Sequence, residues 1–392
     1  MNPRLFRLCA AAFLADMALY LTMTGVPYRA LALGAGPLIL GLLPAARALP
    51  YSLSTVGAGA LTEGRERLRW ARLSLIAAMV SVAGLIAAPG LVWLFILLAV
   101  LGTALAFFWP AIQASLADLA GLGTVTGNLG WFNIAWSSGK SVGFLVGGAI
   151  LAGLGFGALF AAAALALFAV VLLLRVVRVG GGDDAHNVQA SIHPPRHLPR
   201  DAGRFRIAAW IANAIAFGVV SVLNLQYPDW LERMGRSETL FGAYLGLIFA
   251  SQTVTFALLA RFSGWQYRAA PLLLGQVPVI AVLLALPHLR EPVAILATAP
   301  LVGAGLGITY FASLFYSVAE AGSRGRNAGV HEAVLGIGSL VVPILGGIAA
   351  KATGRPEAPY LFAGGAAMIA LGVQGVVLRT PVGTGTGAAG QG

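Results

Sequence analysis

Asp16, Arg47 and Lys140 are ionisable residues set inside long apolar runs. Each lies about ten to twelve residues from the ends of its run, or roughly 15–18 Å at about 1.5 Å per residue. A charge at that depth in a bilayer costs about 2.5–3.5 kcal/mol on insertion scales, so it faces a protein interior or a water-filled cavity. The chemistry such a set can do is ion recognition. Arginine offers a planar fork and lysine a point charge, and both attract the anionic group of a solute. Asp16 then neutralises one of them in the empty site, or carries a coupling proton. The structural alternative is a buried Asp16–Arg47 pair that only ties two helices together. No Walker loop, dinucleotide fingerprint, zinc-hydrolase motif or nucleophile elbow occurs, which argues against an enzyme or an ATP-driven pump.

Helical spacing extends the set. Asn133, Ser137 and Lys140 share one face of their run, while Gly139, Gly143 and Gly147 form a separate small-residue ridge suited to close packing. Asp16, Tyr20 and Met23 line up, as do Arg47, Tyr51 and Ser54, and Asn213, Phe217 and Asn224. Gln113, Gln226 and Tyr310 add hydrogen-bonding groups for a solute, with Gln252, Gln276 and Tyr316 as further candidates. His331 and Glu332 open another run, about one turn from the cytoplasmic face. There the glutamate would take up a proton during transport with the histidine tuning it, or would simply complement the helix dipole. Trp109, Trp131 and Trp136 fit either a cavity wall or ordinary packing. His186, His193 and His197 lie in a Pro-rich stretch without cysteine, so neither a metal nor a cofactor is expected.

The elements that must hold these residues follow from composition. Of 392 residues, 58% are apolar and 10% charged, against roughly 25% charged in an average soluble domain. The charge is collected between apolar runs long enough to span a bilayer core of roughly 30 Å. Twelve such runs read as helices near 5–26, 37–60, 70–88, 91–116, 130–148, 156–177, 205–226, 239–262, 269–287, 292–317, 328–350 and 359–378. The stretch GWFNIAWSSGKSVGFLVGG from Gly130 to Gly148 is matched by GVHEAVLGIGSLVVPILGG from Gly329 to Gly347. Lys140 falls opposite Ser339, Asn133 opposite Glu332, and Phe132 opposite His331. The scaffold is duplicated and its ionisable residues are not.

The expected architecture is therefore all-α and integral to the membrane, in two six-helix bundles. Residues 1–179 form the first bundle, 180–204 a polar cytoplasmic linker, 205–379 the second bundle, and 380–392 a disordered tail. The formal net charge of +11 is concentrated on alternate loops. That distribution is a topology signal placing both termini in the cytoplasm, and nucleic acid is not expected as a partner. Cys9 is the only cysteine, so no intrachain disulfide forms. The opening MNPRLFR leads into a first helix that is kept rather than cleaved, because the repeat needs it.

The loop between the second and third runs reads GALTEGRERLRWAR. Its Gly59, Leu61, Glu63 and Arg67 coincide with the major facilitator superfamily pattern Gly-x-Leu-x-Asp-Arg-x-Gly-Arg-Arg/Lys. Gly64, Glu66 and Leu68 depart from it, and Arg65 and Arg69 offer charge from neighbouring positions. With the two sets of six helices, the chain resembles that superfamily along nearly its whole length. The resemblance implies twelve transmembrane helices related by a pseudo-two-fold repeat and a secondary active transporter working by alternating access. Two basic residues at the bilayer centre, Arg47 and Lys140, favour an anionic or zwitterionic small-molecule substrate, with protons as the coupling ion, and the expected setting is a monomer in the lipid bilayer of a bacterial inner membrane. Gly59, Glu63, Arg65 and Arg67 would form a cytoplasmic gate by charge-assisted hydrogen bonds, with Asp118 and Glu320 as further latch or cap residues. The alternatives are a proton-driven multidrug exporter that uses Asp16 for recognition, and, in another class, a non-transporting membrane sensor.

Overall fold

A bilayer offers the backbone no hydrogen-bond partners, so apolar runs of this length fold as helices. The computed structural model describes residues 2–61, 67–117, 125–177, 199, 201–319 and 324–379, and no strand occurs among them. The helices are α1 (Pro3–Ala32), α2 (Pro37–Leu61), α3 (Arg67–Gly84), α4 (Leu91–Ala117), α5 (Val125–Arg175), α6 (Ala202–Leu225) and α7 (Tyr227–Arg233). They continue as α8 (Glu238–Arg261), α9 (Ala269–Leu274), α10 (Val277–Ala285), α11 (Pro292–Val318), α12 (Arg324–Thr353) and α13 (Ala358–Arg379). Among the described residues, ten spans are long and apolar enough to cross a membrane. The twelve expected runs map onto them with two differences. Residues 130–175 form one continuous span, and α2, which carries Pro44, Arg47 and Pro50, is not among the ten.

The long α5 bends at Gly155, whose φ of 78° and ψ of −174° interrupt helical geometry. A residue with a Cβ rarely adopts that φ, so glycine sets where the two arms part. α6 begins at Ala202, inside the segment read as linker, and Pro278 near the start of α10 coincides with the break after α9. α12 begins at Arg324, so Glu332 lies about two turns into the helix rather than at its start. That removes the helix-start explanation for this carboxylate.

Large apolar side chains cover the outer surface: Leu53, Leu154, Val293 and Ile369 are each more than 70% exposed. In water this would be a liability; against lipid it is the expected face. Some buried polar side chains pair across helices. Gln276 and Gln374 exchange amide hydrogen bonds of 2.8 and 3.0 Å between α10's start and α13.

The repeat is visible in the packing. A Cβ on Gly139 of α5 would collide with the Phe13 carbonyl of α1, and one on Gly338 of α12 with the Ala214 carbonyl of α6. Gly143 and Gly147 continue the ridge against Met17 and Thr24. Close approach of backbones at small residues is what holds helices together where lipid supplies no hydrophobic drive. α5 also meets α8, where the Ser137 and Thr253 hydroxyls are 2.5 Å apart and Ser141 Oγ donates to the Gly246 carbonyl at 2.7 Å. α2 meets α12, where Gly41 sits against the Pro343 carbonyl and Gly347 against that of Pro37.

Candidate functional site: a charged cavity with an aromatic-boxed lysine

The two residues flanking Lys140 fix its position. Gly139 docks α5 on α1 and Ser141 docks it on α8, so the lysine emerges between those two helices. There its Nζ lies 4.6 Å from the Tyr20 ring centre, 4.6 Å from that of Phe249 and 5.0 Å from that of Trp136. Each ring presents the negative face of its quadrupole to the ammonium, worth about 0.5–2 kcal/mol per contact. Such a box accommodates a 6% exposed lysine without a carboxylate in contact. Among the described residues no ion pair within 4.0 Å joins Asp16 to Lys140 or Arg47. Asp16 is 5% exposed and interacts electrostatically with both, which makes it a counter-charge held at a distance. The buried Asp16–Arg47 pair is not formed.

Lys140 opens onto a cavity of about 200 Å³ lined by α1, α2, α4, α5, α6, α8, α11 and α12. Arg47 lines it from α2, where its own carbonyl packs against Gly102 of α4. Glu332 and Ser339 line it from α12, and Asn224 and Gln252 add amides from α6 and α8. Ser339, the repeat counterpart of Lys140, therefore reaches the same cavity from the opposite helix. Tyr51, Phe217 and Tyr310 complete an aromatic wall. The arrangement can bind and orient a small charged solute. It presents no nucleophile–base pair, and no group of three or more metal-ligating side chains exists among the described residues.

The superfamily sequence model for the Major Facilitator Superfamily matches residues 8–330. The chain belongs to the Major Facilitator Superfamily. It is a multi-pass membrane transporter rather than an enzyme. The solved nucleoside transporter NupG superposes with a TM-score of 0.74 at 12% identity, covering 97% of this chain and 100% of that one. The POT family transporter PepTSo gives 0.71 at 11% identity, covering 97% and 98%. The human organic anion transporter MFSD10 gives 0.60 at 15% identity, covering 95% and 100%. These likenesses show the fold alone. No curated protein matches the chain by sequence.

In this Major Facilitator Superfamily member the cavity gathers Arg47, Lys140, Asn224, Tyr310 and Glu332 from the residues read in the sequence. Others lie elsewhere. Asn133 accepts a hydrogen bond from the Trp136 indole instead of facing the cavity. Asn213 is fully buried in α6 with both side-chain polar atoms unpartnered. Gln226 donates to the Pro343 carbonyl at 3.1 Å, where α2 and α12 cross. Gln113 is exposed on α4. His331 is fully buried behind Tyr310, its Nδ1 2.8 Å from Ser313 Oγ. Of the gate set, Gly59 falls within α2 and Arg67 opens α3, whereas Glu63, Arg65, Asp118 and Glu320 lie outside the described residues. Sequence reading missed Phe249 and Ser221. Phe249 lies one turn before Thr253 on the α5-facing side of α8, a periodicity that marks the face but not its partner.

Proposed function

We propose that this protein is a secondary active transporter that moves a small organic anion or zwitterion by alternating access. The single observation that carries this reading is that Lys140 and Arg47 both line one enclosed cavity. Two cations at mid-membrane are justified energetically by an anionic group that reaches them. Residues 1–179 and 205–379 act as two bundles that rock about the cavity, joined by 180–204. The α5–α8 and α2–α12 contacts are the surfaces that part and re-form. Both termini face the cytoplasm of a bacterial inner membrane, as the arginine distribution directs, and the working unit is a monomer. Protons are the coupling ion, with Asp16 as the group that exchanges them.

The test is a thermal-shift screen of the purified protein against organic anions, organic cations and neutral sugars, beside Lys140→Ala. A ligand that binds only the folded state raises stability by mass action. Organic anions are expected to stabilise the wild type and to lose that effect in the variant. Equal stabilisation of both proteins by lipophilic cations would overturn the reading in favour of an exporter. The aromatic wall would suit that activity, but Asp16 does not line the cavity, which weighs against its assigned recognition role.

A further inference from the structure

The charges of the cavity fall into two poles that are balanced differently. At one pole Lys140 and Arg47 line the wall, and Asp16 behind them acts on both. At the other stands Glu332, exposed and lining the same cavity from α12. Among the described residues no lysine, arginine or histidine lies within 4.0 Å of its carboxylate. Its chain neighbour His331 points away, engaged with Ser313 and packed edge-on against Tyr310. Tyr51 of α2 and Tyr310 of α11 line the same cavity as Arg47, Lys140 and Glu332.

We propose that Glu332 receives a cationic group of the solute while Lys140 and Arg47 receive its anionic group, so the substrate is dipolar, with an amine and a carboxylate at opposite ends. This rests on the transporter reading above and chooses within it. A simple anion would leave Glu332 facing the cavity unmatched and would repel it. A simple cation would leave Lys140 and Arg47 with one distant carboxylate, Asp16, between them. Only a solute carrying both charges serves both poles, and an unmatched charge in a site of low dielectric is costly.

Geometry adds a length. Glu332 and Ser339 line the cavity from one helix, and Ser339 is the register partner of Lys140. The glutamate therefore stands two turns, or roughly 10 Å, along α12 from the level of the lysine. Side chains reaching inward shorten that span, but an α-amino acid, with its charges about one residue length apart at ~3.5 Å, falls short of it. A linear ω-amino acid fits better.

The experiment uses three chain-matched probes, hexanoate, hexylamine and 6-aminohexanoate, with the purified full chain and its Glu332→Gln, Glu332→Asp and Lys140→Ala variants. In wild type, 6-aminohexanoate is expected to bind about tenfold more tightly than hexanoate, the equivalent of ~1.4 kcal/mol. Glu332→Gln should erase that preference, weakening 6-aminohexanoate and tightening hexanoate as the repelling carboxylate is lost, and Glu332→Asp should recover part of it. Lys140→Ala should weaken both carboxylate probes. If hexanoate binds through Lys140 but 6-aminohexanoate is no better, the dipolar inference fails and the anion reading stands. If Glu332→Gln binds 6-aminohexanoate like wild type, the inference likewise fails and Glu332 is a proton site. If no carboxylate probe binds wild type, both readings fall.

Discussion

The indole N–H of Trp136 donates a 2.9 Å hydrogen bond to Oδ1 of Asn133, one turn earlier on α5. The same indole lies 5.0 Å from the Lys140 ammonium and edge-on to Tyr310 at 6.0 Å. Three residues of one helical face thus form a relay in which the amide fixes the ring and the ring fixes the charge. A net hydrogen bond of this kind contributes about 0.5–1.5 kcal/mol. Asn133→Ala is therefore expected to weaken binding of a carboxylate probe by about two- to tenfold and to shift the tryptophan emission, although Asn133 does not touch the cavity. Titration of the variant by fluorescence and by thermal shift checks both effects. Unchanged affinity with an altered emission would limit Asn133 to local packing.

The aromatic box around Lys140 predicts a coupling between residues on different helices. Phe249→Leu keeps an apolar group in place but removes the π face that lies 4.6 Å from Nζ. The loss expected is about 0.5–2 kcal/mol of stability. In a Lys140→Met background the same substitution should cost less, because no cation remains to be held. A double-mutant cycle on melting temperatures measures that difference, and additive effects would remove the cation–π explanation.

The glycine ridge predicts strong position dependence among alanine substitutions. Gly139→Ala and Gly338→Ala press a methyl group into the carbonyls of Phe13 and Ala214. Overpacking of this sort costs about 1–3 kcal/mol. Gly153→Ala and Gly365→Ala meet nothing within 4 Å and should be near neutral. Fluorescence-detected size-exclusion after a heating series ranks the four. Equal behaviour would show that the α1–α5 and α6–α12 contacts accept a methyl group.

The α5–α8 contact predicts a reversible lock. Ser137 and Thr253 hydroxyls 2.5 Å apart place their Cβ atoms within reach of a disulfide, which needs roughly 3.5–4.5 Å. Ser137→Cys with Thr253→Cys, in a Cys9→Ser background, should cross-link on oxidation and stop flux into liposomes. Reduction should restore it. Full transport by the oxidised, cross-linked protein would show that α5 and α8 stay together throughout the cycle.

Much of this molecule was legible in the sequence. Apolar run length fixed the helices, because the lipid-facing backbone has no other way to satisfy its hydrogen bonds. Helical period fixed which residues share a face: Asn133 does stand with Lys140, and the ridge of Gly139, Gly143 and Gly147 does pack closely. Depth placed Arg47 and Lys140 at one level, and the internal repeat paired Lys140 with Ser339, which meet at one cavity.

Which helix stands opposite which face is a different kind of fact. It depends on how backbones interlock in three dimensions, and nothing local in the chain encodes it. Tertiary structure alone brought Tyr20 and Phe249 from α1 and α8 around the lysine, and kept Asp16 near its cations without contact. It also turned Asn133 toward an indole, set Gln226 into the α2–α12 crossing and hid His331 behind Tyr310. A polar residue inside an apolar run is costly to leave without a partner, and Asn213 is left so. The sequence determined where that cost arises, and the packing of neighbouring helices decided whether the residue meets a backbone carbonyl, a ring or the cavity.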